Sequence, residues 1–549
     1  MKKIRLTAII LVCAFIASAF GCGGKPGESG YGEAIDENRT QIYISHYNGG
    51  VGNAWFKPLK ERFETAYADY ELNGKKGVQL LMSNHKTLGP QEISSVSASQ
   101  MDVFFSDDFD YYEGLSKNLF LDISDAVNAT NSDGKKIIDK LNPEQQKYYN
   151  YNGKYYALPH YAYYGGLTYN VDLFEDELLY FSSNKSVNGG FITSLDDAKS
   201  AGPDGKTGTY DDGLPATYDE FFKLCDRMVD QDVIPFTWSG MYGKAYFNSL
   251  FARLFATYEG KEQAMLNFSY NGTANHLVDE IKSDGTVVLK EPTQITLDNG
   301  YEIYSAAGRY YALKFVERIF SDRNYYDFNN VNNGTDSHTD AQTRYVLSSY
   351  DPAKQSIAFF VDGTYWENEA YDVGAFSTLN NLYKVTREQT RFAYMPMPKI
   401  DESHIGEKDV LVESSSSLMF INANVQTRCP EKIELLKEFV KFANTDESLV
   451  EFVVSTNSFK ALDYDLSEAD EAKLSYFTKT VLNARRNGEI VYPYDNNAKF
   501  VNNKSSLTIN KTFSTNNYEF ALNALKDGVT AKDYFEQLDS YLSTQWNKM

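Results

Sequence analysis

Apolar runs alternate with amphipathic stretches along most of the chain. Residues 41–46 read as a short strand, and the Gly-rich turn Asn48-Gly49-Gly50-Val51-Gly52-Asn53 follows. Phe56, Leu59, Phe63 and Ala66-Tyr67 then recur at helical spacing and predict a helix. Residues 78–82 and 102–105 are a second and a third apolar strand. Strands alternating with helices predict an α/β lobe with a largely parallel sheet. Ligands of such sheets bind beyond the carboxyl ends of the strands, which puts Tyr47, Asn48, Asp107 and Asp108 on the functional edge. The Gly-rich turn lacks the spacing of a phosphate-binding fingerprint.

Further along, 154–170 (KYYALPHYAYYGGLTYN) reads as extended, dense in tyrosine and broken by Gly165-Gly166. Polar loops and an acidic turn at 196–213 precede a helix over 218–230, an apolar run at 233–240 and a helix over 308–320. After a polar stretch at 323–343, apolar 357–361 leads into Asp362-Gly363-Thr364-Tyr365-Trp366-Glu367. Residues 391–398 and 418–422 look like strands. Residues 431–442 form a strongly amphipathic helix with Ile433, Leu436 and Val440 on one face, and Thr445-Asp446 starts the next. There is no internal repeat and no low-complexity tract.

The N-terminus changes the picture. Lys2, Lys3 and Arg5 precede an apolar stretch from 6 to 20 that ends at Ala19-Phe20-Gly21-Cys22, the layout of a secretory signal. The cysteine makes it resemble a bacterial lipoprotein signal, with Cys22 the acylated residue, although Phe20 is bulkier than that pattern prefers. Residues 22–40 then read as a flexible Gly-rich tether. A plain secreted protein cut nearby, or an uncleaved anchor, are the alternatives. Cleavage after residue 21 leaves 528 of the 549 residues, enough for two or more lobes. It also removes three cations, taking the formal net charge from −22 to −25. So acidic a body argues against nucleic acid or anionic lipid as a partner. No later segment has the ~18 uninterrupted apolar residues of a membrane span. With Cys13 in the signal and Cys22 lipidated, Cys225 and Cys429 remain, and two thiols make neither a disulfide framework nor a zinc site. Whether they pair stays open.

The segments IYISHYNGG, DVFFSDD, YYALPHYAYYGGLTYNVDLF, IAFFVDGTYWENEA, RFAYMPMPK, SSLMFINAN and KEFVKFANTDESLVEFV sample most of the mature chain in this order. Together they resemble the family 1 extracellular solute-binding proteins, the maltose-binding-protein-like sugar receptors of ABC importers. The resemblance implies a two-lobed, type II periplasmic-binding-protein-like α/β fold closing over a ligand. It implies a chain that crosses near 161–169 and returns near 417–422. Lobe 1 would hold 41–160 and 418–465, and lobe 2 would hold 165–415 and 466–549. Residues 176–216 and 259–300 exceed the usual length of the family, and the resemblance says nothing of their role. It also implies an extracytoplasmic, lipid-anchored monomer with a carbohydrate ligand, an oligosaccharide, and ABC permease subunits as partners.

Sugar recognition needs aromatic faces against the C–H surface of the rings, and carboxylates or amides for the hydroxyls. The chain has 42 Tyr, 35 Phe and 4 Trp, so aromatic faces are plentiful, although most tyrosines serve ordinary surfaces and strands. Trp366, after Asp362-Gly363, is the residue that the resemblance places in a ligand-stacking loop; the alternative is a core anchor for the following helix. Trp238 with Tyr242 forms a second candidate stack. Tyr47, Asn48, Asp107, Asp108, His160 and Asp362 are the candidate polar contacts, and Trp55 packs the first helix.

The loop Asp204-Gly205-Lys206-Thr207-Gly208-Thr209-Tyr210-Asp211-Asp212-Gly213 groups carboxylates around glycine turns. It suggests a structural calcium ion on Asp204, Asp211 and Asp212 with carbonyls of Lys206 and Thr209, or else a solvated turn. It does not follow the EF-hand spacing, and a P-loop is excluded because Ser200 stands where that motif needs glycine. A carbohydrate-active enzyme is the rival class. Asp107 and Asp108, adjacent on a strand, would point to opposite faces and make a poor acid–nucleophile pair. Neither G-x-S-x-G nor H-E-x-x-H occurs, and six scattered histidines give no metal cluster. The expectation is a binding protein and not an enzyme, with a surface glycan-binding lipoprotein lacking a transporter as the other alternative.

Overall fold

The computed structural model describes residues 31–85, 92–107, 109–414, 417–509 and 511–549. The signal, Cys22 and Asp108 lie outside the described residues. In chain order the strands that build the two main sheets are β1 (Thr40–Tyr47), β2 (Val78–His85), β3 (Val103–Ser106), β4 (Leu158–Pro159), β5 (Tyr161–Asn170), β6 (Ile234–Thr237), β7 (Ile357–Gly363), β8 (Phe392–Tyr394), β9 (Val410–Ser414), β10 (Leu418–Ile421), β11 (Phe459–Lys460) and β12 (Glu489–Val491).

The first sheet has the order β2-β1-β3-β10-β4. Its centre is parallel: β1 pairs with β2 (Thr40 opposite Val78) and with β3 (Ile44 opposite Val103). Buried Ile42, Ile44, Val78, Leu80 and Val103 give these strands the near-continuous apolar character of a sheet covered on both faces. β10 returns from far along the chain and pairs antiparallel with β3 and β4. The second sheet has the order β12-β9-β5-β7-β6 and is mainly antiparallel. Its hub is β5, which pairs in turn with β11, β9, β7 and β8. With a sheet flanked by helices in each half, the molecule is the two-lobed α/β fold of the type II periplasmic binding proteins.

The chain leaves the first sheet at Pro159 and enters the second at Tyr161, so the passage is one residue long, at His160. It returns between β9 and β10. β11 lies within the 418–465 stretch, yet it pairs with the start of β5 in the second sheet (Phe459 opposite Ala162).

Five helices matter for the site: α1 (Phe56–Ala66), α2 (Gly243–Ser269), α3 (His338–Ser348), α4 (Trp366–Asp372) and α5 (Asp446–Thr456). α2 spans 27 residues, broken at Gly260 (φ 74°), and its first part buries Phe247, Leu250, Phe251, Leu254 and Phe255. Apolar on several sides, it carries no clean stripe, and this is why periodicity does not reveal it. α2 explains Gly165-Gly166. A Cβ on Gly165 would stand 2.1 Å from Ser249 Cβ, and one on Gly166 would stand 2.4 Å from Arg253 Nη1. These glycines let a helix approach a strand. They lie mid-strand, opposite Gly363 and Asp362 of β7.

Candidate ligand-binding cleft

β1 ends at Tyr47 and β3 ends one residue before Asp107, so the parallel strands deliver both side chains to their carboxyl edge. From the second sheet, β5 brings Tyr161 and Tyr163, which share a face because they are two apart. β7 ends at Gly363, and the chain turns through Tyr365 into α4, which carries Glu369. The start of α2 adds Tyr246, preceded by Tyr242, and α3 opens with His338. Together with Asn48, Gly49 and Ala245 these residues line a cavity of about 300 Å³ between the two sheets.

The first wall is tightly built. Tyr161 Oη donates to Asp107 Oδ2 at 2.8 Å. A side chain on Gly49 would meet Tyr161 Oη at 2.7 Å, Asp107 Oδ2 at 2.9 Å and Tyr47 Cε1 at 3.0 Å, so glycine is what lets the three converge. Asn48 Oδ1 accepts from Gly52 N at 2.9 Å and shapes the turn. Burial, and then the Asp107 charge, hold the Tyr161 phenol well above its ordinary range, so it stays a neutral donor.

The second wall stacks tyrosines. Tyr163 lies against Tyr161 with centroids 5.7 Å apart and meets Tyr365 edge-on at 5.2 Å. Tyr242, 43 % exposed, meets His338 edge-on at 5.4 Å. His338 Nε2 stands 3.2 Å from Glu369 Oε1, and Gln342 Nε2 donates to Glu369 Oε2 at 2.9 Å. Behind them, Asp362 is buried 3.5 Å from the same Gln342 Nε2. Burial pushes its carboxyl up to about 8, with the Glu369 charge adding to the effect. The walls touch where Asn368 Nδ2 donates to Gly50 O at 3.2 Å.

The structure thus brings Tyr47, Asn48, Asp107 and Tyr242 to one cavity, with Asp362 directly behind it. Trp366, Trp238 and His160 do not line it, and Asp108 lies outside the described residues. Trp366 is 0 % exposed, its ring enclosed by Tyr345, Phe360, Phe392 and Phe477 at 5.3–5.6 Å, so it anchors α4 in the core. The helix that begins there turns Trp366 inward and Tyr365 to the cleft. Trp238 is equally buried, against Phe247, Phe320 and Tyr326. His160 is buried where the chain passes between sheets, with Lys460 Nζ 2.9 Å from its Nδ1 and the rings of Trp55, Phe105 and Phe452 around it. Burial, then Lys460, hold its imidazole well below its usual pKa. Trp55 packs at the N-terminus of α1 against His46, Phe105 and Phe452.

Sequence reasoning missed Tyr161, Tyr163, Tyr246, His338, Tyr365 and Glu369. The alternation in Tyr161-Ala162-Tyr163 was a signal for the first two, whereas nothing local marks His338 or Glu369.

In the acidic loop the carboxylates are bound within the loop itself. Asp204 Oδ1 accepts from Lys206 N (2.7 Å), Asp211 Oδ2 from Asp204 N (2.9 Å) and Asp212 Oδ2 from Gly208 N (2.7 Å). Thr209 Oγ1 donates to Asp211 Oδ1 at 2.7 Å and lies 3.1 Å from the Lys206 carbonyl. Among the described residues no three His, Cys, Asp or Glu side chains group as metal ligands. Cys225 and Cys429 are both buried and free. No helix of the described residues is long and apolar enough to cross a membrane.

Residues 91–448 match the family of bacterial extracellular solute-binding proteins, about two thirds of the chain. The chain belongs to this family. As such a solute-binding protein it shares its fold with solved structures of low identity. Apo RafE from Streptococcus pneumoniae is 14% identical with a TM-score of 0.54, over 94% of this chain and 100% of RafE. A chitin oligosaccharide binding protein is 15% identical with a TM-score of 0.54, over 93% and 100%. Maltose-bound MalE3 of T. maritima is 14% identical with a TM-score of 0.52, over 92% and 99%. No curated protein matches the chain at a significant level.

Proposed function

We propose that this solute-binding protein captures a carbohydrate, an oligosaccharide, in the cleft between its lobes and hands it to an ABC permease. It works from the outer membrane face through a lipid on Cys22. The observation that carries the reading is the cavity wall: six tyrosines, with the carboxylates of Asp107 and Glu369 and the amide of Asn48 set among them. Flat apolar rings with polar groups at their margins match the alternating C–H and hydroxyl surfaces of a sugar. The likeness to proteins described with raffinose, chitin oligosaccharide and maltose supports the same ligand class. The lipid anchor is supported by the Gly21-Cys22 signal and by the extracellular character of the family. Binding in place of catalysis is supported by the family to which the chain belongs.

Calorimetry against mono- and oligosaccharides tests the proposal. Saturable binding of a saccharide without turnover is expected. Hydrolysis of a glycan by the purified protein, or no saccharide binding at all, would overturn it. Mass spectrometry of the membrane-extracted protein tests the anchor, and an unmodified Cys22 refutes it.

A further inference from the structure

The charge inventory of the cleft says more about the ligand than its shape does. Among the described lining residues there is no Lys and no Arg, and His338 is the basic side chain, held 3.2 Å from Glu369. The carboxylates come one from each wall: Asp107 beyond β3 and Glu369 on α4. Burial holds the Tyr161, Tyr246 and Tyr365 phenols above their ordinary range, so they add no negative charge to the cleft.

Tyrosine faces carry the negative lobe of the ring quadrupole and attract a cation, more so in a partly desolvated site. A carboxylate binds an ammonium through charge-assisted hydrogen bonds, roughly twice as strong as neutral ones. An anionic group in the same place would face two carboxylates with no guanidinium or ammonium to receive it. The whole body repeats this bias, at a formal net charge of −22.

We infer that the saccharide this cleft takes carries a protonated amine, an amino sugar of the glucosamine type, and not a uronic, sulfated or phosphorylated sugar. The inference rests on the carbohydrate reading above. It assigns Asp107 and Glu369 as the groups that select the amine, with the tyrosine faces holding the rings.

The test uses the purified mature protein and four trisaccharides in calorimetry at neutral pH and low salt. They are the free-amine glucosamine trimer, its N-acetylated form, the all-hydroxyl glucose trimer and a galacturonic acid trimer. The free amine should bind about tenfold or more tighter than both neutral trimers. Its advantage should shrink as salt is raised, and the acid should bind weakest. Glu369→Gln and Asp107→Asn, each confirmed as folded by its circular dichroism, should bring the amine and neutral trimers closer in affinity. Neutral or acidic trimers binding as tightly as the amine would overturn the inference while leaving the carbohydrate reading intact. An amine advantage that survives in both variants would also overturn it. No binding of any saccharide would instead remove the carbohydrate reading.

Discussion

Tyr365 and Trp366 are neighbours in sequence with opposite tasks, and truncating each one separately tests the whole description of the cleft. Trp366 has no exposed surface and four aromatic neighbours, so Trp366→Ala leaves a large void that the rigid ends of β7 and α4 cannot close. Such a truncation costs about 3–5 kcal/mol. Its indole Nε1 has no hydrogen-bond partner, so none is lost, and Trp366→Phe should recover most of the stability. For a unit the size of a lobe, each kcal/mol moves the melting temperature by roughly 2 °C, so Trp366→Ala should melt roughly 6–10 °C early. At a temperature where it is folded it should bind ligand nearly as well as the parent. Tyr365 is half-buried, edge-on to Tyr163 on the same wall of the cleft, and Tyr365→Ala should melt near the parent while losing about 2 kcal/mol of binding, or roughly 30-fold in affinity. Scanning calorimetry and titration calorimetry on the three variants give both readouts. A Trp366→Ala protein that melts normally and loses binding would show that the ring stacks on ligand, and the inward orientation would be wrong.

Asp362 titrates near 8 against an ordinary 3.8, so between these values the unfolded chain releases a proton that the folded one keeps, and stability falls as pH rises. Asp362→Asn should flatten this fall and raise the melting temperature at pH 7.5 relative to pH 4, a difference absent if the carboxyl is ionised when folded. Gly165→Ala sets a methyl 2.1 Å from Ser249 Cβ and should cost about 1–3 kcal/mol in urea denaturation; an unchanged midpoint would mean α2 yields freely. Calcium at the 204–213 loop would stabilise only the folded protein, so chelator should lower the melting temperature by several degrees and elemental analysis should find the ion; an unchanged curve with no bound metal would remove it. Small-angle scattering should show a smaller radius of gyration with ligand, since one that touches both walls favours the closed arrangement; an unchanged profile at saturation would mean a rigid cleft.

What could be read in the chain was what local patterning controls. β1, α1 and the strand ending in Gly363 follow from apolar runs and helical spacing, and their boundaries fall within a few residues of the pattern. The edge of the first sheet was legible for the same reason: parallel strands at the centre of a sheet end at its carboxyl edge, where Tyr47 is the last residue of β1 and Asp107 directly follows the last residue of β3. Of the second wall only Tyr242 and the Asp362 behind it were legible, because β5, β7, α2, α3 and α4 supply it from five separate stretches. No spacing within one stretch records that His338 will meet Glu369.

The largest aromatic was the wrong guide for a physical reason. Tryptophan offers the most surface for stacking on a sugar, but it also offers the most to a core, and a core beside a β-to-α turn draws it in first. Tyrosine can do what tryptophan does less well here, since its hydroxyl accepts the company of water and carboxylates at a wet boundary. Tyr161 shows both sides of that behaviour: its ring is buried while its hydroxyl reaches Asp107 in the cleft. A chain with 42 tyrosines and 4 tryptophans therefore lines this cleft with the residue that tolerates being half in the core and half at a wet boundary.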